Sequence, residues 1–292
     1  MSAFPASESA GREFLTRSRT AAGLLADALR LLVRNYDVLA RRSAFFFVAL
    51  LVGVIGTPLL FPELAREDRT TIFEPPKVTQ YLFFLGLAEA QLVVAVTARC
   101  LAWPRERGIL SARVAASFLS VAMAVFLKWL GVQIGITALL AQLSLLVRRP
   151  AMEASRWLIL EGALLTVIAI GVVVFVRYFA VPATVVLEGK DVGKGAFTRS
   201  ARLAVGMWPR VLGTLGVAWL ALLALQVASR AIALRVAGDV LTAEVVAVLV
   251  SMLVYPYVGV VATLLYFSAR ARQEGAAGAT AIAPPSRPPI LR

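Results

Sequence analysis

Two ionisable residues inside long apolar stretches are the positions of this chain at which chemistry is most expected. Glu89 lies within the apolar run 85–96, and Lys128 lies within the apolar stretch 111–147. A charged side chain at the centre of a bilayer costs roughly 2.5–3.5 kcal/mol on insertion scales, so it is expected to face the interior of a helix bundle, paired or neutralised. Such a site predicts proton or cation transfer, or contact with a lipid headgroup. A buried structural hydrogen bond between helices is the alternative.

The residue types that most enzymes and metal sites need are scarce in this chain. It has no histidine and one cysteine, Cys100, so an intramolecular disulfide is impossible and zinc or haem sites of the usual kinds are not expected. The sequence motifs of serine hydrolases, nucleotide-binding loops, Rossmann folds and zinc peptidases are absent. We therefore predict no catalytic residues, no metal and no cofactor.

Long apolar stretches dominate the chain and must position these residues. Hydrophobic residues make up 60% of the sequence, and the mean hydropathy is +0.81, whereas soluble domains are about 45–50% apolar. A helix that spans a bilayer needs about 20 apolar residues. The sequence therefore predicts an all-α integral membrane protein with six transmembrane helices, at about 43–61, 80–101, 129–147, 157–175, 211–229 and 245–267.

Amphipathic helices that lie in the headgroup layer are predicted to precede spans one, three and five. Before span one, residues 19–42 place apolar and charged side chains at helical spacing. A helix packed on its own protein is the alternative for this segment. Residues 1–18 are predicted to be a polar tail, residues 19–274 the membrane domain, and residues 275–292 a disordered tail.

The stretch 111–147 is too long for one simple span, since as a single helix it would measure about 55 Å. We divide it into an interfacial helix at 111–127 and the third span. Lys128 then lies at the membrane boundary, where its ammonium group can reach the polar layer. If the stretch is instead one long helix, Lys128 can pair with Glu89.

Basic residues are concentrated in alternate loops of this chain. The formal net charge is +13, and most of the 30 lysines and arginines fall before span one or after spans two, four and six. This bias follows the positive-inside rule with both termini on the cytoplasmic side. Anionic lipid headgroups are the expected partners, whereas the sequence has no basic soluble module for nucleic acid. A membrane protein partner or a second copy of this chain also remains open.

Two stretches of the C-terminal half carry a more specific pattern. The first begins at Arg177 in RYFAVP, continues through VVLEG and GAFTRS, and ends at Leu203. The second is LLYFSARARQEG at residues 264–275. Together they resemble the six-span bacterial membrane family related to the membrane domain of glycerophosphoryl diester phosphodiesterases. The resemblance covers about residues 177–274 by motif and the N-terminal half mainly by hydropathy.

This resemblance implies a membrane domain of the bacterial cytoplasmic membrane without the enzymatic activity in the family's name. The catalytic phosphodiesterase domain is missing, and its chemistry relies on histidines that this chain lacks. One departure is that Ser268 and Ala269 stand where an acidic residue often precedes the final arginines. The residues expected at the cytoplasmic interface, either as a basic shelf for lipid headgroups or as a structural elbow, are Arg177, Pro182, Glu188, Lys190, Lys194, Arg199, Ser200, Arg202, Arg270 and Arg272.

The sequence thus predicts a non-enzymatic membrane protein that engages lipids or a partner through its cytoplasmic helices. The alternative is a small-molecule or ion transporter that uses Glu89 and a helix break at Pro256, because proline inside a span frees a backbone carbonyl.

Overall fold

The computed structural model describes residues 8–60, 75–100, 154–189 and 194–280, together with residues 127, 128, 134, 135 and 138. Within these ranges the secondary structure is entirely helical, and no strand is present. The predicted all-α class is therefore confirmed for the described part of the chain. The predicted interfacial helix at 111–127 lies, except for its last residue, outside the described residues.

Nine α-helices and one π-helical turn make up the described ranges. In chain order they are α1 (Glu8–Thr16), α2 (Ala21–Leu60), α3 (Pro75–Cys100), α4 (Ala154–Arg177), α5 (Val181–Glu188), α6 (Lys194–Ala204), α7 (Trp208–Val211), the π-helical turn (Leu212–Gly216), α8 (Val217–Ala237) and α9 (Val240–Thr280).

Four of the described segments are long and apolar enough to cross a membrane. They are Ala21–Gly56, Gly162–Glu188, Trp208–Ala237 and Val240–Gly275. Helix α3, on the predicted second span, contributes a shorter apolar segment, Leu87–Thr97. The predicted third span contributes only residues 134, 135 and 138 to the described part. Six spans therefore remain a prediction, whereas four apolar segments of spanning length are observed.

Helix α2 merges the predicted interfacial helix with the predicted first span. The helix bends at Asn35, whose backbone is non-helical (φ −134°, ψ 22°) and whose side-chain amide donates to the carbonyl of Leu31. The helix passes through the predicted boundary at Ser43 unbroken, so no helix end marks the start of the predicted first span. The apolar side chains of the first half are buried in the bundle, as in the alternative interpretation, at Leu24, Ala28, Leu31 and Leu32.

The bend lets both halves of α2 reach one turn of α9. Tyr257 donates a hydrogen bond to the carbonyl of Leu25, and the rings of Phe47 and Tyr255 lie 5.8 Å apart. In a straight helix, Leu25 and Phe47 would be separated by about 33 Å. Because they contact neighbouring residues of α9, the two halves must be inclined to each other.

Helix α9 lies at the centre of the bundle. Every residue from 258 to 270 is buried, and α9 contacts α1, α2, α3, α6 and α8. Pro256 lies inside this helix, and the non-helical backbone within α9 is at Gly275. The predicted helix break at Pro256 is therefore wrong, because helical dihedral angles continue through it. Beyond Gly275 the helix resumes to Thr280, so the predicted C-terminal tail begins with helical residues.

Two helix pairs approach closely at glycines. A Cβ atom added to Gly259 of α9 would lie 2.5 Å from Cδ1 of Leu92 in α3. A Cβ atom added to Gly171 of α4 would lie 2.6 Å from the Cα atom of Gly135. The missing side chain of Gly259 leaves room for the side chain of Leu92, whereas Gly135 and Gly171 let the two backbones themselves approach.

Part of the predicted polar tail at residues 1–18 is helical. Residues Glu8–Thr16 form α1, which packs against α9 and buries Leu15 completely. Phe14 and Leu15 are adjacent in an otherwise mostly polar segment and give little periodic signal, so this docked helix was not evident from the sequence.

Candidate functional site

Glu89 and Lys128 form an ion pair in the interior of the bundle. The Nζ atom of Lys128 lies 3.4 Å from Oε2 of Glu89, and the two side chains are 1% and 2% exposed respectively. Helix α3 is almost entirely buried around Glu89, with Leu87, Ala88, Ala90 and Leu92 all in the core. The residues next to Glu89 that lie in the core of α3 are therefore apolar, and the ammonium group of Lys128 supplies a compensating charge.

The pair lies near the middle of the bundle. Leu92 of α3 packs against Gly259 of α9, and one helical turn earlier on each helix places Glu89 at the level of Tyr255 and Pro256. Tyr255 and Pro256 lie about midway along the 39 Å or so of helix from Glu244 to Arg270. Helices α3 and α9 run in the same direction, because both end close to the arginines Arg19 and Arg210.

Helices α3 and α9 both end at what we call the arginine-rich end, defined by Arg19, Arg210 and Arg270. Cys100, the last residue of α3, lies close enough to the guanidinium of Arg19 to interact with it electrostatically. Arg210 donates one hydrogen bond to the carbonyl of Arg19 and another, of 3.2 Å, to the hydroxyl of Ser268 in α9. The two helices therefore finish at the same end.

The predicted boundary position of Lys128 is wrong. Its side chain lies in the core and contacts Glu89 instead of extending to a polar layer. The length of the stretch 111–147, which led us to divide it at Lys128, suggested a boundary, but the carboxylate of Glu89 supplies the compensating charge. The interhelical pairing that the sequence left as an alternative is the observed one.

Helices α4, α5 and α6 form an elbow that is held by Ser200. The hydroxyl of Ser200 donates to the carbonyl of Arg177, 3.2 Å away, and accepts a 3.1 Å hydrogen bond from the backbone N–H of Ala180. Pro182 is buried in the first turn of α5, where its missing N–H is not needed. Gly189 ends α5 in the left-handed conformation (φ 63°). These contacts give a structural reason for the spacing between Arg177 and Pro182 and for the burial of Ser200.

Five side chains then join the elbow to the end of α9, and we call them the elbow network: Glu188, Arg199, Tyr266, Arg270 and Glu274. Nε of Arg199 donates to both oxygens of Glu188 at 3.0 and 3.2 Å, and its Nη2 donates to Glu274. The hydroxyl of Tyr266 donates to Glu188 at 2.8 Å. Nε of Arg270 donates to Glu274 at 2.7 Å.

The elbow network contains equal numbers of positive and negative side chains, and hydrogen bonds connect all five of its members. Its two guanidinium groups face its two carboxylates, and Arg199 bridges both carboxylates. Charge-assisted hydrogen bonds of this kind are stronger than bonds between neutral groups. The arrangement therefore fixes the elbow against the central helix and leaves neither carboxylate as an evident general base.

A second arginine cluster ties the N-terminus to the same end, and sequence reasoning did not identify it. Arg19 and Arg17 donate to the same oxygen of Asp27, at 2.7 and 2.6 Å. The guanidinium of Arg19 also lies 4.6 Å from the ring centre of Phe14. Burial lowers the pKa of Arg19, although the hydrogen bond to Asp27 opposes that effect. The closely spaced arginines before a helical aspartate were the available signal.

Three of the predicted interface residues point outward from the arginine-rich end, and we call Arg177, Arg202 and Arg272 the basic surface. Their side chains are exposed, and no carboxylate in the described ranges forms an ion pair with them. Lys190 lies outside the described residues. Lys194 begins α6, but its side chain is not described. The structure thus divides the predicted residues between an internal network, a buried elbow and an outward basic surface.

Comparison of the chain with protein-family models, curated proteins and solved structures finds no match.

Proposed function

We propose that this chain is a non-catalytic, multi-pass protein of the bacterial cytoplasmic membrane that engages anionic lipids through its arginine-rich end. Six spans, both termini in the cytoplasm and a kinship with the phosphodiesterase membrane-domain family belong to the same proposal. The basic loops and the motifs around Arg177 and Glu274 support it.

The proposal rests on a difference, within the described residues at this end, between carboxylates that form ion pairs and arginines that do not. Three acidic groups at this end, Asp27, Glu188 and Glu274, are engaged in ion pairs within the protein, whereas Glu13 of α1 is exposed. The arginines of the basic surface have no such acidic partners among the described residues. Guanidinium groups match phosphate geometry with paired hydrogen bonds, so the lipid phosphates of an anionic leaflet complement this surface.

Neutralising the basic surface is expected to remove the stabilisation that anionic lipid provides. A lipid that binds only the folded protein raises the thermal midpoint, and the rise grows with the logarithm of one plus the ratio of lipid concentration to Kd. Wild-type protein in mixed micelles should therefore gain thermal stability when phosphatidylglycerol replaces phosphatidylcholine. The triple variant Arg177→Gln, Arg202→Gln, Arg272→Gln should lose most of that gain.

The matched control is Arg235→Gln, because Arg235 is exposed in the last turn of α8, far from the arginine-rich end. This variant should respond to phosphatidylglycerol as the wild type does. An equal gain in the triple variant would refute lipid engagement by the basic surface. A membrane protein partner or a second copy of the chain would then become the preferred occupant of this end.

Transport is a second candidate function, and the buried Glu89–Lys128 pair is the observation that favours it. Ionisable residues within membrane spans commonly mark proton or ion pathways. Both side chains are almost completely buried, and they lie near the middle of the central helix. Pro256 adds no support, because α9 continues through it as a helix.

If this second function holds, Glu89→Gln should abolish proton flux in the fraction of the variant that is folded, even though loss of the carboxylate lowers its stability. The glutamine amide keeps an acceptor for Lys128 but cannot exchange a proton as a carboxylate does. Flux into proteoliposomes under a potassium diffusion potential, followed with an entrapped pH dye, provides the measurement. Glu244→Gln, which alters the ion pair of α9 with Arg230, is the control. Full flux in Glu89→Gln would exclude a proton pathway through this residue.

A further inference from the structure

A turn between α6 and α7 exposes apolar side chains beside two arginines of the basic surface. Val205 is 70% exposed and Trp208 is 39% exposed, whereas Met207 between them is buried. Gly206 adopts a left-handed backbone (φ 67°). We call residues 204–208 the Val205 turn. Apolar side chains at the tip of a tight turn are unexpected for a loop in water, where polar residues usually predominate.

The exposed apolar surface does not stop at this turn. Leu212, one helical turn beyond Trp208, is 40% exposed. The exposed stripe continues along α8 through Val217, Leu220, Leu223 and Val227. This stripe is the outer face of the candidate span Trp208–Ala237. Trp208 therefore lies where a face suited to lipid chains meets the charged end, which is the usual depth of interfacial tryptophan.

The two arginines are held against the Val205 turn by the end of α9. Nη1 of Arg272 donates a 2.7 Å hydrogen bond to the carbonyl of Gly206. The side chain of Gln273 donates to the carbonyl of Arg202, which also accepts the N–H of Val205 at 3.1 Å. Hydrogen bonds thus join the turn, α6 and α9, and both Arg202 and Arg272 are exposed residues of this unit.

We infer that the Val205 turn and these two arginines form a binding site for the phosphate of an anionic phospholipid headgroup. Val205 and Trp208 enter the boundary between headgroups and acyl chains, and Arg202 and Arg272 bind the phosphate above them. This inference rests on the proposed function, which it deepens by naming the site and its depth. Charge complementarity and continuity with the apolar stripe favour a bilayer lipid over a soluble ligand.

The depth of the Val205 turn in a bilayer tests its predicted location, whichever lipid the arginines prefer. A nitroxide is attached to Val205→Cys in a Cys100→Ala background, and its accessibility to oxygen and to a water-soluble nickel complex is compared. We expect a depth of about 5–10 Å below the phosphates. The matched control is Thr198→Cys, an exposed position on α6, which should report water. A Val205 label in water would overturn the inference.

Lipid binding tests the arginines. In native mass spectrometry, Arg202→Gln should retain phosphatidylglycerol about fivefold less than wild type, and adding Arg272→Gln should lower retention again by about the same factor. Arg177→Gln, on the same end but away from the turn, should lower it less. Equal retention in all three variants contradicts this site. Wild-type protein that shows no preference for phosphatidylglycerol contradicts the proposed function itself.

Free inorganic phosphate presents the same chemical group to the two arginines as a phospholipid headgroup does. Inorganic phosphate at millimolar concentration should not displace phosphatidylglycerol, because it lacks the acyl chains that contact Val205 and Trp208. Displacement would mean that the arginines bind phosphate without the apolar turn, and it would overturn the inference.

Discussion

Replacing Lys128 with methionine is expected to destabilise the protein by about 3–5 kcal/mol, the usual cost of leaving one member of a buried ion pair without its partner. The carboxylate of Glu89 would stay in the interior, with apolar neighbours and no ammonium group at 3.4 Å. Unfolding of the purified protein in a titration from mild detergent to dodecyl sulfate measures the loss.

The double variant Glu89→Leu, Lys128→Met is the informative control for this prediction. It removes both charges and leaves apolar side chains of similar size, an exchange that is often neutral or stabilising. We therefore expect it to recover most of the stability lost by Lys128→Met. If the double variant is as unstable as the single one, Lys128 contributes through packing and the ion pair is not its main role.

Replacing Arg199 with methionine is expected to cost about 3 kcal/mol, since two carboxylates lose the cation that bridges them. Glu188 and Glu274 would then face each other with Arg270 alone, and Arg270 pairs with Glu274. Loss of these contacts should release α6 from the end of α9, which amide hydrogen exchange would detect as faster exchange in both segments.

Arg202→Met, three residues further along α6, provides the matched control for Arg199. Its guanidinium is exposed and contacts no carboxylate among the described residues, so the change in stability should stay within about 0.5 kcal/mol. Arg199→Lys should recover part of the loss, because a lysine cannot reproduce the fork that contacts two carboxylates. Equal losses for the two methionine variants would show that the elbow network contributes no more than an ordinary surface arginine.

The sequence was informative about single positions whose residue type conflicts with their surroundings. Glu89 was identified because a carboxylate inside an apolar run is costly. Its partner could not be derived, since pairing with Lys128 depends on how two distant helices pack. The division of the long apolar stretch 111–147 instead suggested a boundary location for Lys128, which proved wrong.

Helix boundaries were predicted less well, for a local reason. The change from amphipathic to apolar composition near Ser43 suggested two separate helices, but composition does not interrupt backbone hydrogen bonding. The bend occurs at Asn35, whose side chain bonds to the carbonyl of Leu31. Short polar side chains compete in this way with helical hydrogen bonds, so asparagine was the better signal.

The elbow network illustrates an intermediate case. Glu188, Arg199 and Arg270 were all predicted as interface residues, and the fold brings them together. Their mutual pairing, with Tyr266 and Glu274, could not be predicted, because it requires α9 to return to the elbow after nearly eighty residues. The Val205 turn was missed altogether, since valine and tryptophan beside a membrane span give no unusual signal in the sequence.

Anionic lipid retention is the most direct test of the proposed function. The protein is extracted gently from its own membrane and examined by native mass spectrometry, beside the Arg177→Gln, Arg202→Gln, Arg272→Gln variant prepared in the same way. Our account predicts that wild-type protein retains defined anionic phospholipids and that the variant loses them. A wild-type protein that emerges as a bare monomer, or a variant with the same lipids, would contradict it and shift attention to transport through Glu89.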